Sequence, residues 1–243
     1  MPFTLAHPAA VLPLRRYCPR YLHFGALVVG SVCPDLGYFP GFRLDEISHS
    51  FIGGFLFDLP VGMLMLAALF LLRRPMVNLL PKGHRAAFLP LCERPLGPPL
   101  VVLISLLIGI WSHLVWDVFT HRHGWLYQHL PVLQRPLVMI LHRRFTLSNV
   151  CWFASSFGGV ACLCVAYERW RHEAEPAAPP FSRTAAIGRA LICGLLILPV
   201  EVVHYLTGGP IGLMLVGGCS LALLAGLVLF IEHDLRIRAQ SSA

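Results

Sequence analysis

The sequence predicts an all-α fold, a polytopic membrane helical bundle of about five spanning helices preceded by a short N-terminal helical hairpin. Three observations lead to it. Of 243 residues, 56% are hydrophobic and only 13% charged, where an average soluble domain carries roughly 25% charged residues. Five segments hold the roughly 20 mostly apolar residues that a helix needs to cross a bilayer. Cations exceed anions, 19 Lys plus Arg against 12 Asp plus Glu, and fall unevenly among the connections between those segments. A mean hydropathy of +0.69 excludes a disordered chain, which requires low hydrophobicity. Eight Cys in this length are too sparse for a disulfide scaffold. None forms a CxxC pair, and most sit in apolar runs, where a thiol packs as a small hydrophobe.

The elements follow in chain order. The opening MPFTLAHPAA has no basic stretch before an apolar core, so no secretory signal is expected. Residues 8–17 are a short helical candidate, with Pro8 suited to the first turn. Cys18-Pro19-Arg20 breaks it from a second apolar run, 21–33. Thirteen residues reach only about 20 Å, short of the ~30 Å hydrocarbon core, so this run reads as a re-entrant helix. A hairpin over 5–34 returns to its starting level and puts His7 and Asp35 at the same end. The five spans are then 51–72, 99–119, 147–167, 185–206 and 211–231. Residues 1–167 form a core, 168–184 a linker rich in Glu, Ala and Pro, and 185–243 a C-terminal helix pair turning at Gly208-Gly209-Pro210. If five helices alternate, 73–98, 168–189 and 234–243 share one side and hold eleven cations, against five in the opposite loops. The positive-inside rule then places the C-terminus in the cytoplasm and loops 35–50 and 120–146 outside.

The strongest local signal is His113-Leu-Val-Trp-Asp117-Val-Phe-Thr-His121. Residues at i, i+4 and i+8 fall within about 80° on a helix and form one polar stripe. A carboxylate in lipid must be paired, protonated or bound to a cation, and two imidazoles beside it offer an N,O,N set suited to Zn²⁺, Mn²⁺ or Fe²⁺. A His–Asp pair gluing helices would also use these residue types. His7, Asp35 and His49 favour the metal, because hairpin, first span start and second span end meet at one membrane face.

With those residues in view, MPFTLAHPAAVLPL, VVGSVCPDLGYF, HSFIGGFLFDLP and SHLVWDVFTHRHGW resemble an uncharacterised bacterial membrane family of unknown function whose members open with MPFTxxHP. That family is similar in layout to inner-membrane metal-dependent hydrolases, which resemble the zinc-dependent phospholipase C and P1 nuclease core. The shared order is an early His, an Asp, a His 14 positions later and HxxxD, here His7, Asp35, His49, His113 and Asp117. The resemblance covers about residues 1–165 and implies a multi-pass protein of the bacterial inner membrane with a metal-dependent activity on a phosphoester. The soluble zinc enzymes add a free N-terminal amine and a downstream HxxxE. This chain has no HxxxE, so one or two metals are expected rather than three.

The expected ligand set is therefore His7, Asp35, His49, His113, Asp117 and His121, with a divalent metal, Zn first and Mn or Fe next, as cofactor. Asp35 and Asp117 are the candidates for bridge or catalytic base. Arg122, Arg143 and Arg144 are candidates to hold substrate phosphate oxygens, and Glu201 and His204 to support the ligands from the fourth span. Asp58, nine positions after His49, is expected to face away from the site and pair with the hairpin, through His23 or an Arg. Trp111, Trp116, Trp125 and Trp152 read as an interfacial belt. The expected partner is membrane lipid, not nucleic acid. An ion, proton or small-solute transporter, and a non-catalytic membrane partner protein, remain the alternatives to a hydrolase.

Overall fold

The computed structural model describes residues 3–38, 44–120, 125–140 and 143–174, with isolated positions between 184 and 202. Described residues are nearly all helical. The longer helices are α1 (Pro8–Val11), α2 (Phe24–Val32), α3 (Asp45–Ser48), α4 (Phe51–Asn78), α5 (Lys82–Cys92), α6 (Pro99–Thr120), α7 (Trp125–His129), α8 (Pro131–Gln134) and α9 (Leu147–Ala174). Short 3-10 turns cover Thr4–Ala6, Leu12–Tyr17 and Cys33–Tyr38. The sequence does not foreshadow one antiparallel pair, β1 (Pro136–Ile140) with β2 (Arg143–Thr146), joined from Pro136↔Thr146 to Ile140↔Arg143.

Three helices, α4, α6 and α9, are long and apolar enough to cross a membrane. They correspond to the first three spans expected from sequence. Half of the fourth expected span, 185–206, and all of the fifth, 211–231, fall outside the described residues, as does most of the C-terminal helix pair. Helix α2 is apolar but short.

Packing divides the chain into two units, Met1–Leu71 with Pro95–Leu163, and Leu72–Arg94 with Cys164–Ala243. In the first, α2 lies along the second half of α6 and runs the same way. His23 N–H donates to Ser105 Oγ (2.8 Å) at one end, and His113 Nδ1 meets Ser31 O (2.8 Å) at the other. Between these bonds the two backbones touch. A Cβ on Gly30 would strike the Leu106 carbonyl, and one on Gly109 would strike the Leu27 carbonyl and crowd Ser31 N. Two glycines thus set the helix separation. Around this crossing Ala26, Val29, Leu66, Val102 and Leu106 make a buried cluster.

Local caps fix where the helices begin. His23 Nδ1 accepts the Ala26 N–H at the start of α2 (3.0 Å), and Ser50 Oγ accepts the Gly53 N–H at the start of α4 (2.9 Å), each satisfying a donor that the first turn leaves open. Asn149 Oδ1 accepts the Thr146 N–H before α9 (2.9 Å), half of a capping box. Residues Gly54–Asp58 of α4 form a π turn. Phe3 N–H donates to Ser156 Oγ (2.9 Å), and Gly159 leaves room for Ala6, so the N-terminal turn is seated on α9.

In the second unit, α5 packs on the far end of α9. His84 hydrogen-bonds Tyr167 OH, and Phe88 meets Trp170 with ring centroids 4.8 Å apart. Arg73 Nε donates to Cys92 O (2.8 Å) and closes the hairpin between α4 and α5.

Gly109→Ala should cost about 1–3 kcal/mol, because the methyl meets backbone that cannot rotate away. Gly158→Ala, where nothing lies within 4 Å of the added carbon, should be neutral or stabilise by up to about 1 kcal/mol. Melting temperatures of the two purified variants in detergent test the difference.

Candidate metal centre

Four chain segments converge at the end of α6. The turn Cys33–Tyr38 carries Asp35, the residue before the α4 cap is His49, α6 carries His113 and Asp117, and the N-terminal turn delivers His7. His113 Nε2 lies 3.2 Å from Asp35 Oδ1 and 3.3 Å from Asp117 Oδ2. His49 Nε2 lies 3.5 Å from Asp35 Oδ1 and 3.6 Å from Asp117 Oδ2. His7 Nε2 stands 3.7 Å from the other oxygen, Asp117 Oδ1, and its ring stacks on His113 at 3.8 Å.

These spacings fit a cation. Donors bonded at 2.0–2.2 Å in a tetrahedron stand about 3.3–3.6 Å apart, and the four His–Asp separations lie at 3.2–3.6 Å, with all four ligand atoms within 4.8 Å of one another. The cluster could hold a metal ion. The hydrogen bonding points the same way. Both ring nitrogens of His7 are buried and make no hydrogen bond among the described residues, and the buried polar atoms of Asp35 and His113 Nε2 have other members of the cluster as their near neighbours. Buried polar atoms gathered in one place are costly unless a bound species meets them.

His113 and His49 are held from behind. The Ser31 carbonyl can only accept, so His113 carries a proton on Nδ1 and turns Nε2 inward toward Asp35 and Asp117, the orientation common behind metal-bound imidazole. Ser48 Oγ contacts His49 Nδ1 at 3.0 Å, and the Tyr38 ring lies 4.8 Å from the His49 ring. Burial, with His113 beside it, pushes His7 down to about 3, so its ring is neutral, the form that binds metal. Burial works to raise Asp35, but His113 and His49 outweigh it and hold the carboxyl well below its usual range. His113 has no exposed side-chain surface and Asp35 and Asp117 only 5–7%, while His49 shows 17%. The cluster therefore opens to its surroundings past His49.

The other sequence candidates fare differently. His121, Arg122, Glu201 and His204 lie outside the described residues. Arg143 belongs to β2, and Arg144 stands exposed on it with no ion pair to the cluster among the described residues. Trp152 is buried instead of facing an interface, whereas Trp116 and Trp125 are exposed. Asp58 departs most from expectation. His23 is used to cap α2, and among the described residues Asp58 forms no ion pair with His23 or an Arg. Its side chain is fully buried, within electrostatic reach of His49, His113 and Asp35. The π turn ending at Asp58 holds one extra residue and shifts the helix phase by about 100°, which a uniform count from His49 misses. Cys33 Sγ donates to the Asp58 carbonyl (3.1 Å). Burial, with Asp58 and Asp35 near, pushes that thiol up to about 12, so no thiolate joins the donors.

His113→Ala strands the Ser31 carbonyl and two buried carboxylates and should cost about 3 kcal/mol even without metal. His49→Ala, at the open edge, should cost nearer to 1 kcal/mol. Chelator-treated protein followed by thermal unfolding separates the two.

No curated protein and no solved structure matches the chain. A family described as a domain of unknown function (DUF4184) matches residues 1–231, which takes in every residue of the cluster. The chain belongs to that family.

Proposed function

We propose that the protein is a membrane-embedded, metal-dependent hydrolase of a phosphoester, either a phospholipid or a lipid-linked phosphate, acting at the membrane interface. The observation that supports this reading is the convergence of two imidazoles and two carboxylates, three of the four buried, with His–Asp separations of 3.2–3.6 Å. Zinc is the first choice, since two imidazoles and two carboxylates without thiolate resemble catalytic rather than closed structural zinc sites. When bound there, a divalent cation supplies Lewis acidity and a water nucleophile near neutral pH.

The chain's own residues supply the rest. Asp35, His49, His113 and Asp117 hold the cation. Asp117 turns Oδ2 to this set and Oδ1 to His7, so it can span a second cation or take the proton of the attacking water at Oδ1. The Ser31 carbonyl fixes the His113 ring, and burial keeps bulk water from the inner side. The open edge at His49 adjoins exposed Phe51 and Ile52, a setting suited to a substrate whose tail remains in the bilayer. The order His7, Asp35, His49, His113-x-x-x-Asp117 resembles that of inner-membrane metal-dependent hydrolases and supports the same chemistry. We further place the protein in the bacterial inner membrane with this centre on the outer face, on the strength of the uneven cation distribution. Asp58, a buried carboxyl within a span, favours a second reading as an ion or proton pathway. Flux across proteoliposomes that Asp58→Asn abolishes would establish that one.

Protein purified in detergent should carry at least about one zinc, manganese or iron ion per chain by elemental analysis. Asp117→Asn should lower metal affinity about tenfold or more and abolish hydrolysis of bis(4-nitrophenyl) phosphate and of phospholipid vesicles. Wild-type protein without stoichiometric transition metal would refute the hydrolase.

A further inference from the structure

The second unit holds a feature unrelated to the cluster. Residues 72–94 carry Arg73, Arg74, Lys82, Arg85 and Arg94 against one anion, Glu93. The Arg73–Cys92 bond draws the two ends of this hairpin together, and Arg74 reaches Glu93 at 3.8 Å with both side chains mostly exposed. Arg94 is exposed beside them, and Lys82 is exposed at the start of α5. Cationic charge at the hairpin base thus exceeds what Glu93 can neutralise.

The same segment exposes Leu72, Met76, Leu79, Leu89 and Leu91, with Leu79 at 83%. Such a mixture is out of place in bulk water. Helix α4 spans 28 residues, about 42 Å at 1.5 Å per residue against a hydrocarbon core of about 30 Å. Its last turns therefore emerge into the headgroup layer. Arginine and lysine beside exposed leucines at that depth meet phosphate with their heads and acyl chain with their neighbours. A water-soluble anion would satisfy the guanidinium groups but leave the leucines bare. The tilted ring contact of Phe88 with Trp170, and the His84–Tyr167 bond, hold α5 against α9, so the hairpin presents this surface ready-formed.

We propose that the 72–94 hairpin binds anionic phospholipid, with Arg74, Lys82 and Arg94 holding headgroup phosphates while Leu72, Leu89 and Leu91 enter the acyl layer. The surface is distinct from the metal centre, and its occupant is a lipid of the surrounding bilayer rather than the substrate.

The full chain, purified in detergent and equilibrated with equal phosphatidylglycerol and phosphatidylcholine, should retain phosphatidylglycerol preferentially by native mass spectrometry. Arg74→Gln and Arg94→Gln should each lower that preference about fivefold, and Arg74→Lys with Arg94→Lys should keep it. Rising salt should erode it. An unchanged preference in the double Gln variant, or no preference in the wild type, overturns the proposal. Displacement of the lipid by inorganic phosphate at equal concentration overturns it in favour of a free-anion site. Metal content should match wild type in every variant, so the failure of this surface and of the metal centre can be told apart.

Discussion

Everything at the centre depends on how closely α2 and α6 approach. Gly30 and Gly109 leave no side chain between the two backbones, and only at that separation can the Ser31 carbonyl reach His113 Nδ1. That one bond sets the tautomer, the ring plane and the direction of Nε2. It also carries the turn bearing Asp35 to the level of His113 and Asp117. In an apolar medium helices gain little from burying apolar surface against one another, and close packing of small residues replaces that gain. The glycine crossing therefore serves stability and site geometry together.

The electrostatics follow from this geometry. Asp35 and Asp117 are both buried and stand near the same two imidazole nitrogens. Two carboxylates in low dielectric repel and are poorly solvated. The imidazoles relieve part of that cost, and a divalent cation would relieve more while satisfying atoms that otherwise lack hydrogen bonds. The donors at the centre are rigid for this purpose. His113 is tied to backbone, His7 is stacked on it, and only His49 lies at an edge that a ligand can approach.

Much of this was legible in the sequence, for identifiable reasons. The three apolar helices show because lipid demands long uninterrupted runs, and the i, i+4 spacing of His113 and Asp117 shows because a helix repeats every 3.6 residues. The meeting of His7 and Asp35 followed from a run too short to cross the bilayer. What stayed hidden depended on local departures from regularity or on tertiary packing. The π turn moved Asp58 toward the centre against a uniform helical count. His23 went to a helix cap because a helix starting beside α6 needs its first N–H groups satisfied. Trp152, which looked interfacial by type, is buried in the fold. The β1–β2 pair lies in a polar stretch whose alternation is too brief to stand out from a loop.

The donors come from residues as far apart in the chain as His7 and Asp117. A cation bound to them would act as a cross-link joining the N-terminal hairpin, the start of α4 and the end of α6. Such a cross-link cannot close until α6 has been synthesised and inserted, so the hairpin and the start of α4 reach the bilayer before their partners at this centre exist. Metal removal would reopen the same junction and loosen the hairpin from α6.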